Sequence, residues 1–220
     1  MPAPLSDAAQ ELHLREGGLY RQHDAALKEA PISSLPEQRR TTPLVLVIPG
    51  LGGSGPEHWQ TRWEARYPRH VRVTQRDWDA PDPEAWLAAL ESALAAAAEP
   101  AVLVAHSLGC ALVARAAARP IAARIAAAFL VAPADVDSPD RTPAETRGFS
   151  PMPRLPLPFP ATVVASENDP YVALDRARTF AAAWGAAFVD AGARGHLNAA
   201  SGLGDWPEGR RLFEALLSRI

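Results

Sequence analysis

The chain has 220 residues, 48% of them hydrophobic and 21% charged, a composition typical of one globular domain with a complete core. Its formal net charge of −3 and its lack of a basic run exclude the electrostatic signature of a nucleic-acid or anionic-membrane binder, so we expect neither partner. Cys110 is the only cysteine, which excludes an intrachain disulfide and a thiolate metal cluster and favours a cytoplasmic location.

Residues 1–43 differ from the rest of the chain because they are polar and interrupted by glycine and proline. Two stretches within them, 5–18 and 19–31, have the character of short helices. We interpret 1–43 as an N-terminal extension and 44–220 as the folded domain. The sequence leaves three roles open for the extension: packing on the domain, contact between copies in a homo-oligomer, or mobility.

From residue 44 onward, aliphatic strands alternate with amphipathic helices. Strands are predicted at 44–50, 70–75, 101–107, 126–133, 160–166 and 186–192. Helices are predicted at 56–67, 82–100, 108–119, 169–185 and 205–220. Uninterrupted aliphatic strands are typical of a parallel sheet that is covered on both faces. The sequence therefore predicts an α/β fold with six parallel strands and helices on both faces.

One connection, residues 135–159, breaks this alternation. It is rich in proline and lacks helical periodicity. An irregular loop longer than about 12–15 residues in a compact domain is usually functional or mobile. We therefore predict that this segment is a partial cover, or lid, over the site.

The segment VAHSLGC, residues 104–110, places a serine where a buried strand turns into a helix. In a parallel sheet, ligands bind beyond the carboxyl ends of the strands. Ser107 is flanked by Ala105 and Gly109, and small residues are needed there because strand and helix nearly touch at such a turn. Ser107 could simply cap the helix, but the strand before it and the helix after it favour a nucleophile.

Two backbone N–H groups are candidates for an oxyanion hole. Ser107 precedes the N-terminus of a predicted helix, where the free N–H of Leu108 and the helix dipole stabilise negative charge. The second donor in such sites comes from a loop after an earlier strand, and the glycine-rich segment 48–55 has that form. We assign the second donor to the N–H of Leu51.

A serine nucleophile needs a base and an orienting carboxylate. Asp169 follows the predicted strand 160–166, and His196 follows the strand 186–192, so both belong at the same edge of the sheet as Ser107. The order Ser, Asp, His is the order expected of an α/β-hydrolase. We predict Ser107, Asp169 and His196 as a catalytic triad.

Alternatives exist for two members of this triad. Asp169 precedes Pro170 and could instead cap the next helix, with Glu167 or Asp135 as the triad acid. His58 follows the glycine-rich loop and competes with His196 as the base.

We expect the substrate pocket to include His58, Trp59, Trp78 and parts of 135–159. No metal-binding spacing, such as HExxH or CxxC, is present, and the glycines at 50–55 do not form a GxxxxGKS phosphate loop. We therefore expect no metal and no cofactor.

Several ordered motifs resemble one known family: PGLGGSGPEHWQTRWE, RDWDAPDPEAW, VAHSLGC, VAPADVD, LPFPATVVASENDPY and GHLNAASGLGDWPEG. Residues 44–220 are similar across their length to the RBBP9/YdeN family of small α/β-hydrolases. The resemblance implies a shortened sheet with the strand order 2-1-3-4-5-6 and a serine hydrolase that uses Ser107, Asp169 and His196. A retinoblastoma-protein contact is not implied, because Leu112 stands where the LxCxE motif requires Glu.

The sequence thus predicts a serine hydrolase that cleaves an ester, a thioester or a small amide of a small-molecule acyl substrate. A non-catalytic binding module on the same fold is the main alternative. Acyl transfer to an acceptor other than water is a weaker one.

Overall fold

A computed structural model describes residues 42–220, so the predictions for the extension lie outside the described residues. A six-stranded sheet has the order β2-β1-β3-β4-β5-β6, and every neighbouring pair is parallel. Its strands are β1 Val45–Ile48, β2 His70–Arg72, β3 Ala101–His106, β4 Ile125–Val131, β5 Ala161–Ala165 and β6 Ala187–Asp190. The predicted fold class and strand order are confirmed.

Five α-helices connect or follow the strands: α1 Trp59–Arg66, α2 Pro83–Ala96, α3 Leu108–Ala116, α4 Leu174–Trp184 and α5 Pro207–Leu217. Their ends follow local chemistry. Asp82 caps α2 by accepting a hydrogen bond from the N–H of Ala85 at 2.7 Å, and Pro83 occupies the first helical position. Gly185 ends α4 with a left-handed φ of 66°. None of the helices in 42–220 combines the length and apolarity that a membrane crossing requires.

The four inner strands, β1, β3, β4 and β5, are buried on both faces, and alternate residues point to opposite sides. Leu46 and Leu103 lie in one apolar cluster with residues of α2, α3 and α4. Val47 and Val104 lie in a second cluster with residues of α1 and α5. Three helices therefore cover one face and two cover the other. Each fully buried aliphatic side chain contributes on the order of 2 kcal/mol to this packing.

The connection between β4 and β5 is more ordered than its sequence indicated. It contains a 3-10 helix, Ala144–Phe149, where no helical element was predicted. Val136, Phe149 and Met152 are buried in the same core cluster as α2 and α3. The expectation of a segment without helical structure is therefore wrong, because three apolar side chains spread along it fix it to the domain.

Candidate active site

Ser107 lies on a sharp turn between β3 and α3. Its backbone has φ 54° and ψ −121°, a conformation that non-glycine residues rarely adopt. Close packing imposes this turn: a Cβ atom at Gly109 would lie 2.4 Å from the carbonyl oxygen of Ile48. A Cβ atom at Gly50 would lie 2.8 Å from the Cβ of Ser107. Glycine is thus required at position 109, two residues after the serine, and at position 50, on the loop that packs against it.

The three side chains nominated for the triad are in contact. The Ser107 hydroxyl donates to His196 Nε2 at 2.8 Å. His196 Nδ1 donates to the Asp169 carboxylate, 2.9 Å from Oδ1 and 2.8 Å from Oδ2. The Asp169 side chain is fully buried, and its Oδ1 also accepts the N–H of Tyr171 at 2.8 Å. This hydrogen-bonded chain holds the His196 ring in the tautomer that accepts a proton from Ser107.

The alternative residues for the acid and the base take no part in the hydrogen bonds that link Ser107, His196 and Asp169. Helix α4 begins at Leu174 with Ala173 as its N-cap, so Asp169 does not cap it. Glu167 is exposed, and Asp135 forms an ion pair with Arg176 at 3.1 Å. The sequence alternatives for Asp169 are therefore wrong.

His58 is placed as a helix cap and does not contact Ser107. Its Nδ1 accepts the N–H of Gln60 at 3.2 Å at the start of α1. The pKa of His58 is lowered to about 3, chiefly by burial and in smaller part by the charges of His196 and Arg72. Such a low pKa makes His58 a weak base. Its ring packs against His106, with the ring centroids 4.7 Å apart, whereas the Ser107 hydroxyl bonds His196, so His58 does not take the place predicted for His196.

Two side chains from the loop after β5 hold the backbone just before His196. Ser166 Oγ accepts the N–H of Arg194 at 2.8 Å. Asn168 Oδ1 accepts the N–H of Gly195 at 2.6 Å and the hydroxyl proton of Ser166 at 3.0 Å. The loop that carries Asp169 is thereby hydrogen-bonded to the loop that carries His196.

Two more side chains hold the backbone at and after His196. His106 Nε2 donates to the carbonyl oxygen of His196 at 2.9 Å, and Trp59 Nε1 donates to that of Leu197 at 2.8 Å. His106 directly precedes Ser107, so one dipeptide contacts both the ring and the carbonyl of His196. Burial also lowers the pKa of His106 well below its ordinary value.

The N–H groups of Leu51 and Leu108 are both available beside Ser107. Neither donates a hydrogen bond to any acceptor within residues 42–220. Both residues line the same cavity as Ser107. A Cβ at Gly50 would lie 3.1 Å from the nitrogen of Leu108, so the glycine keeps that amide uncovered. Unused amides beside a nucleophile are the arrangement that an oxyanion requires.

A cavity of about 240 Å³ opens at Ser107. It is lined by Gly50, Leu51, Gly53, Gly55, His58, His106, Ser107, Leu108, Ala134, Thr142, Pro143, Thr146, Tyr171, His196, Asn198 and Ala199. His58 and three residues of the 135–159 segment, Thr142, Pro143 and Thr146, line this cavity, and their role in holding a substrate stays a prediction.

The two tryptophans expected in the wall are not among the lining residues. Trp59 is only 1% exposed and packs against Trp63 and Trp206 below the site. Trp78 packs edge-on against Trp86, and its ring lies 3.3 Å from where a Cβ of Gly53 would be. The expectation for Trp59 and Trp78 is therefore wrong: an aromatic residue near a catalytic motif in sequence can still belong to the core.

Four residues of the cavity wall were not predicted individually. Thr142 and Thr146 lie in the segment expected to cover the site, and Tyr171 and Asn198 lie in the family motifs, but their residue types are common in any loop. Cys110 lies behind Ser107 and is fully buried, and burial raises the pKa of its thiol. It is therefore a residue of the core. No cluster of three or more His, Cys, Asp or Glu within 42–220 has the geometry of a metal site.

Comparison with known proteins gives a consistent result. The family model described as "Serine hydrolase" matches residues 45–215. The structure of a YdeN-like hydrolase from Pectobacterium atrosepticum is 34% identical, with a TM-score of 0.70, and the match covers 80% of this chain and 91% of that one. No curated protein matches the chain.

More distant structures share the fold. The ydeN gene product from B. subtilis is 20% identical with a TM-score of 0.62, over 80% of this chain and 100% of that one. Est1E from Butyrivibrio proteoclasticus is 15% identical with a TM-score of 0.57, over 79% of this chain and 85% of that one. The family match over residues 45–215 and the similarity to the Pectobacterium relative show that the chain belongs to the serine hydrolase family and is YdeN-like.

Proposed function

We propose that this protein hydrolyses an ester, a thioester or a small amide through an acyl-enzyme on Ser107. One observation carries the proposal: an unbroken chain of short hydrogen bonds runs from buried Asp169 through His196 to the hydroxyl of Ser107. A serine hydroxyl is a weak nucleophile near neutral pH, and this arrangement supplies the base that activates it.

In the first half of the reaction, His196 Nε2 takes the proton of Ser107 while Oγ attacks the acyl carbon. Asp169 stabilises the imidazolium that forms. The negative charge that develops on the acyl oxygen is stabilised by the N–H groups of Leu51 and Leu108. The imidazolium then gives its proton to the leaving group, and an ester of Ser107 remains.

In the second half, water replaces the leaving group. His196 takes a proton from the water, the hydroxide adds to the acyl carbon, and the tetrahedral intermediate collapses with return of the proton to Ser107. The same two amides stabilise this second oxyanion. Removal of one such donor typically lowers kcat by about 100- to 1,000-fold.

The primary test is Ser107→Ala on a panel of acyl p-nitrophenyl esters and aminoacyl amides. We expect loss of turnover by about 10⁴-fold or more, and loss of labelling by a fluorophosphonate. Ser218→Ala, whose hydroxyl bonds only the carbonyl of Ala215 at the end of α5, is the control and should keep full activity.

Two results would contradict the proposal. One is full esterase activity in the Ser107→Ala protein. The other is a folded wild type that neither turns over any substrate of the panel nor reacts with fluorophosphonate, which would favour the non-catalytic binding module.

A further inference from the structure

The cavity at Ser107 has walls without a charged side chain. Its lining residues, within the described part of the chain, include no Asp, Glu, Lys or Arg. The polar side chains that do line it are imidazoles, hydroxyls and one amide. His58 and His106 are two of those imidazoles, and burial favours their neutral forms.

The carboxylates behind these walls are already occupied. Asp169 is fully buried behind His196 and accepts hydrogen bonds from that ring and from the N–H of Tyr171. Asp135 accepts two hydrogen bonds from the guanidinium of Arg176, at 3.1 and 3.2 Å. Neither carboxylate is therefore free to pair with a charge on a substrate.

The threonine hydroxyls in the wall are satisfied internally. Thr142 Oγ1 donates to the carbonyl of Ser138 at 3.0 Å, and Thr146 Oγ1 donates to that of Pro143 at 2.8 Å. Each hydroxyl has a single proton, so neither retains a donor for a bound anion. The wall formed by the 135–159 segment thus offers a ligand little more than an apolar surface.

The cavity is also small. Its volume of about 240 Å³ is below the ~300–1,000 Å³ typical of pockets that hold drug-sized ligands. A long acyl chain or a peptide would extend beyond it.

Burial of a charged group without a partner is strongly unfavourable, whereas burial of an apolar group of the same shape is favourable. We propose that the site selects short, uncharged acyl groups and discriminates against acyl groups that carry an ammonium or a carboxylate. This inference rests on the proposed hydrolase function and specifies its substrate class.

The test compares isosteric acyl groups on one leaving group. The p-nitrophenyl ester of 2-methylpropanoate is matched with that of alanine, in which an ammonium replaces one methyl group. The ester of 4-methylpentanoate is matched with the hemisuccinate, in which a carboxylate replaces the two terminal methyl groups and their carbon. All rates are measured at pH 6, where the alanine ester is cationic, and the rate with Ser107→Ala is subtracted.

We expect kcat/KM to be about 100-fold lower for each charged ester than for its neutral partner. A long-chain ester such as the hexadecanoate should also be poorer than the 2-methylpropanoate. Similar kcat/KM values across each matched pair, with all activity lost in Ser107→Ala, would overturn charge selection and leave hydrolysis standing. Absence of turnover on every ester together with an unlabelled Ser107 would overturn the hydrolase proposal and this inference with it.

A gain-of-function variant tests the same idea without loss of folding. Ala199 is exposed and lines the cavity, so an acidic side chain at this position can be accommodated at the edge of the site. Ala199→Asp should raise the ratio of alanine to 2-methylpropanoate turnover by about 5- to 10-fold, because it supplies the missing counter-charge.

Ala200→Asp is the matched control. Ala200 is also exposed but lines a neighbouring surface depression and not the cavity at Ser107. Both variants change the net charge by the same amount. An equal rise of the ratio in both variants would assign the effect to long-range charge. No rise of the ratio in Ala199→Asp would contradict the inference that the site rejects cationic acyl groups because it lacks a counter-charge.

Discussion

The turn that carries Ser107 and the loop that carries His196 are held in place by different means. Ser107 is fixed by backbone crowding: Gly50 and Gly109 approach so closely that no side chain fits at either position. The His196 loop is fixed by hydrogen bonds from side chains of Ser166, Asn168, His106 and Trp59. The first arrangement is local steric packing, and the second draws on residues spread over the whole domain.

This difference implies different responses to mutation. Steric crowding tolerates no added atom, because the obstacle is the backbone of a neighbouring strand. A set of hydrogen bonds weakens one bond at a time, and each bond contributes only about 1 kcal/mol. We therefore expect changes at the turn to affect folding and changes around the loop to affect mainly turnover.

The largest effect is expected for Gly109→Ala. Its Cβ would lie 2.4 Å from the carbonyl oxygen of Ile48 and 2.8 Å from that of Pro49. We expect a loss of about 3 kcal/mol or more in the free energy of unfolding, measured by urea denaturation. Gly55→Ala is the control, because nothing lies within 4 Å of its Cβ position. Equal stability of the two variants would mean that the turn is not sterically fixed.

The second effect concerns His106, which we infer to be a positioning residue for His196. His106→Leu removes the donor to the His196 carbonyl, and we expect kcat to fall by about 10- to 100-fold with a smaller change in KM. His106→Gln keeps an N–H donor and should recover much of that loss. An altered pH profile of kcat in the leucine variant, restored in the glutamine variant, would separate positioning from a general loss of packing.

If the leucine and glutamine variants lost the same activity, the hydrogen bond to the His196 carbonyl would have no positioning role.

A smaller effect is expected for Ser166→Ala. This change removes the acceptor for the N–H of Arg194 and one hydrogen bond to Asn168. We expect a loss of about 1 kcal/mol in stability and a decrease of a few-fold in kcat, because Arg194 is two residues from His196. Thermal unfolding and steady-state kinetics measure both quantities. A decrease in kcat as large as that of His106→Leu would show that the loop responds as one unit.

The last effect is on the pH dependence of stability and not on turnover. The pKa of His58 is about 3 in the folded protein, because the ring is buried, and about 6.5 in the unfolded chain. Between these values the unfolded chain binds the extra proton, so this contribution to stability is complete above about pH 6.5 and is lost as the pH falls towards 3. Asn is also a good N-cap, so His58→Asn should preserve α1.

We expect His58→Asn to reduce the slope of the unfolding free energy against pH, between pH 6 and 4, by up to about 1.4 kcal/mol per pH unit. Urea denaturation at several pH values measures the slope. The same slope in the variant and the wild type would contradict a buried neutral ring at this position.

The sequence predicted the fold well because its signals were local. Continuous aliphatic strands indicated the parallel sheet, and the resemblance to the YdeN-like family supplied the confirmed strand order. Ser107, Asp169 and His196 follow the ends of β3, β5 and β6, so the rule that parallel strands end at one edge was enough to group them. Their catalytic roles remain predictions.

Other features depended on contacts that a sequence does not display. Trp59 bonds the carbonyl of Leu197 across 138 positions of the chain, and nothing near Trp59 indicates that partner. The 135–159 segment has a defined structure because Phe149 and Met152 are buried, and they are buried because they pack into the core cluster that contains residues of α2 and α3. Long-range packing of this kind overrides what proline content suggests locally.

The backbone of Ser107 has one further consequence. Only glycine adopts φ 54° and ψ −121° without cost, so the fold is strained at the residue that we propose reacts. A Ser107→Gly chain should consequently melt at a higher temperature than the native one while losing its chemistry. Selection for heat tolerance alone would then favour glycine at this position, and the catalytic role that we propose for Ser107 explains why a serine stands there.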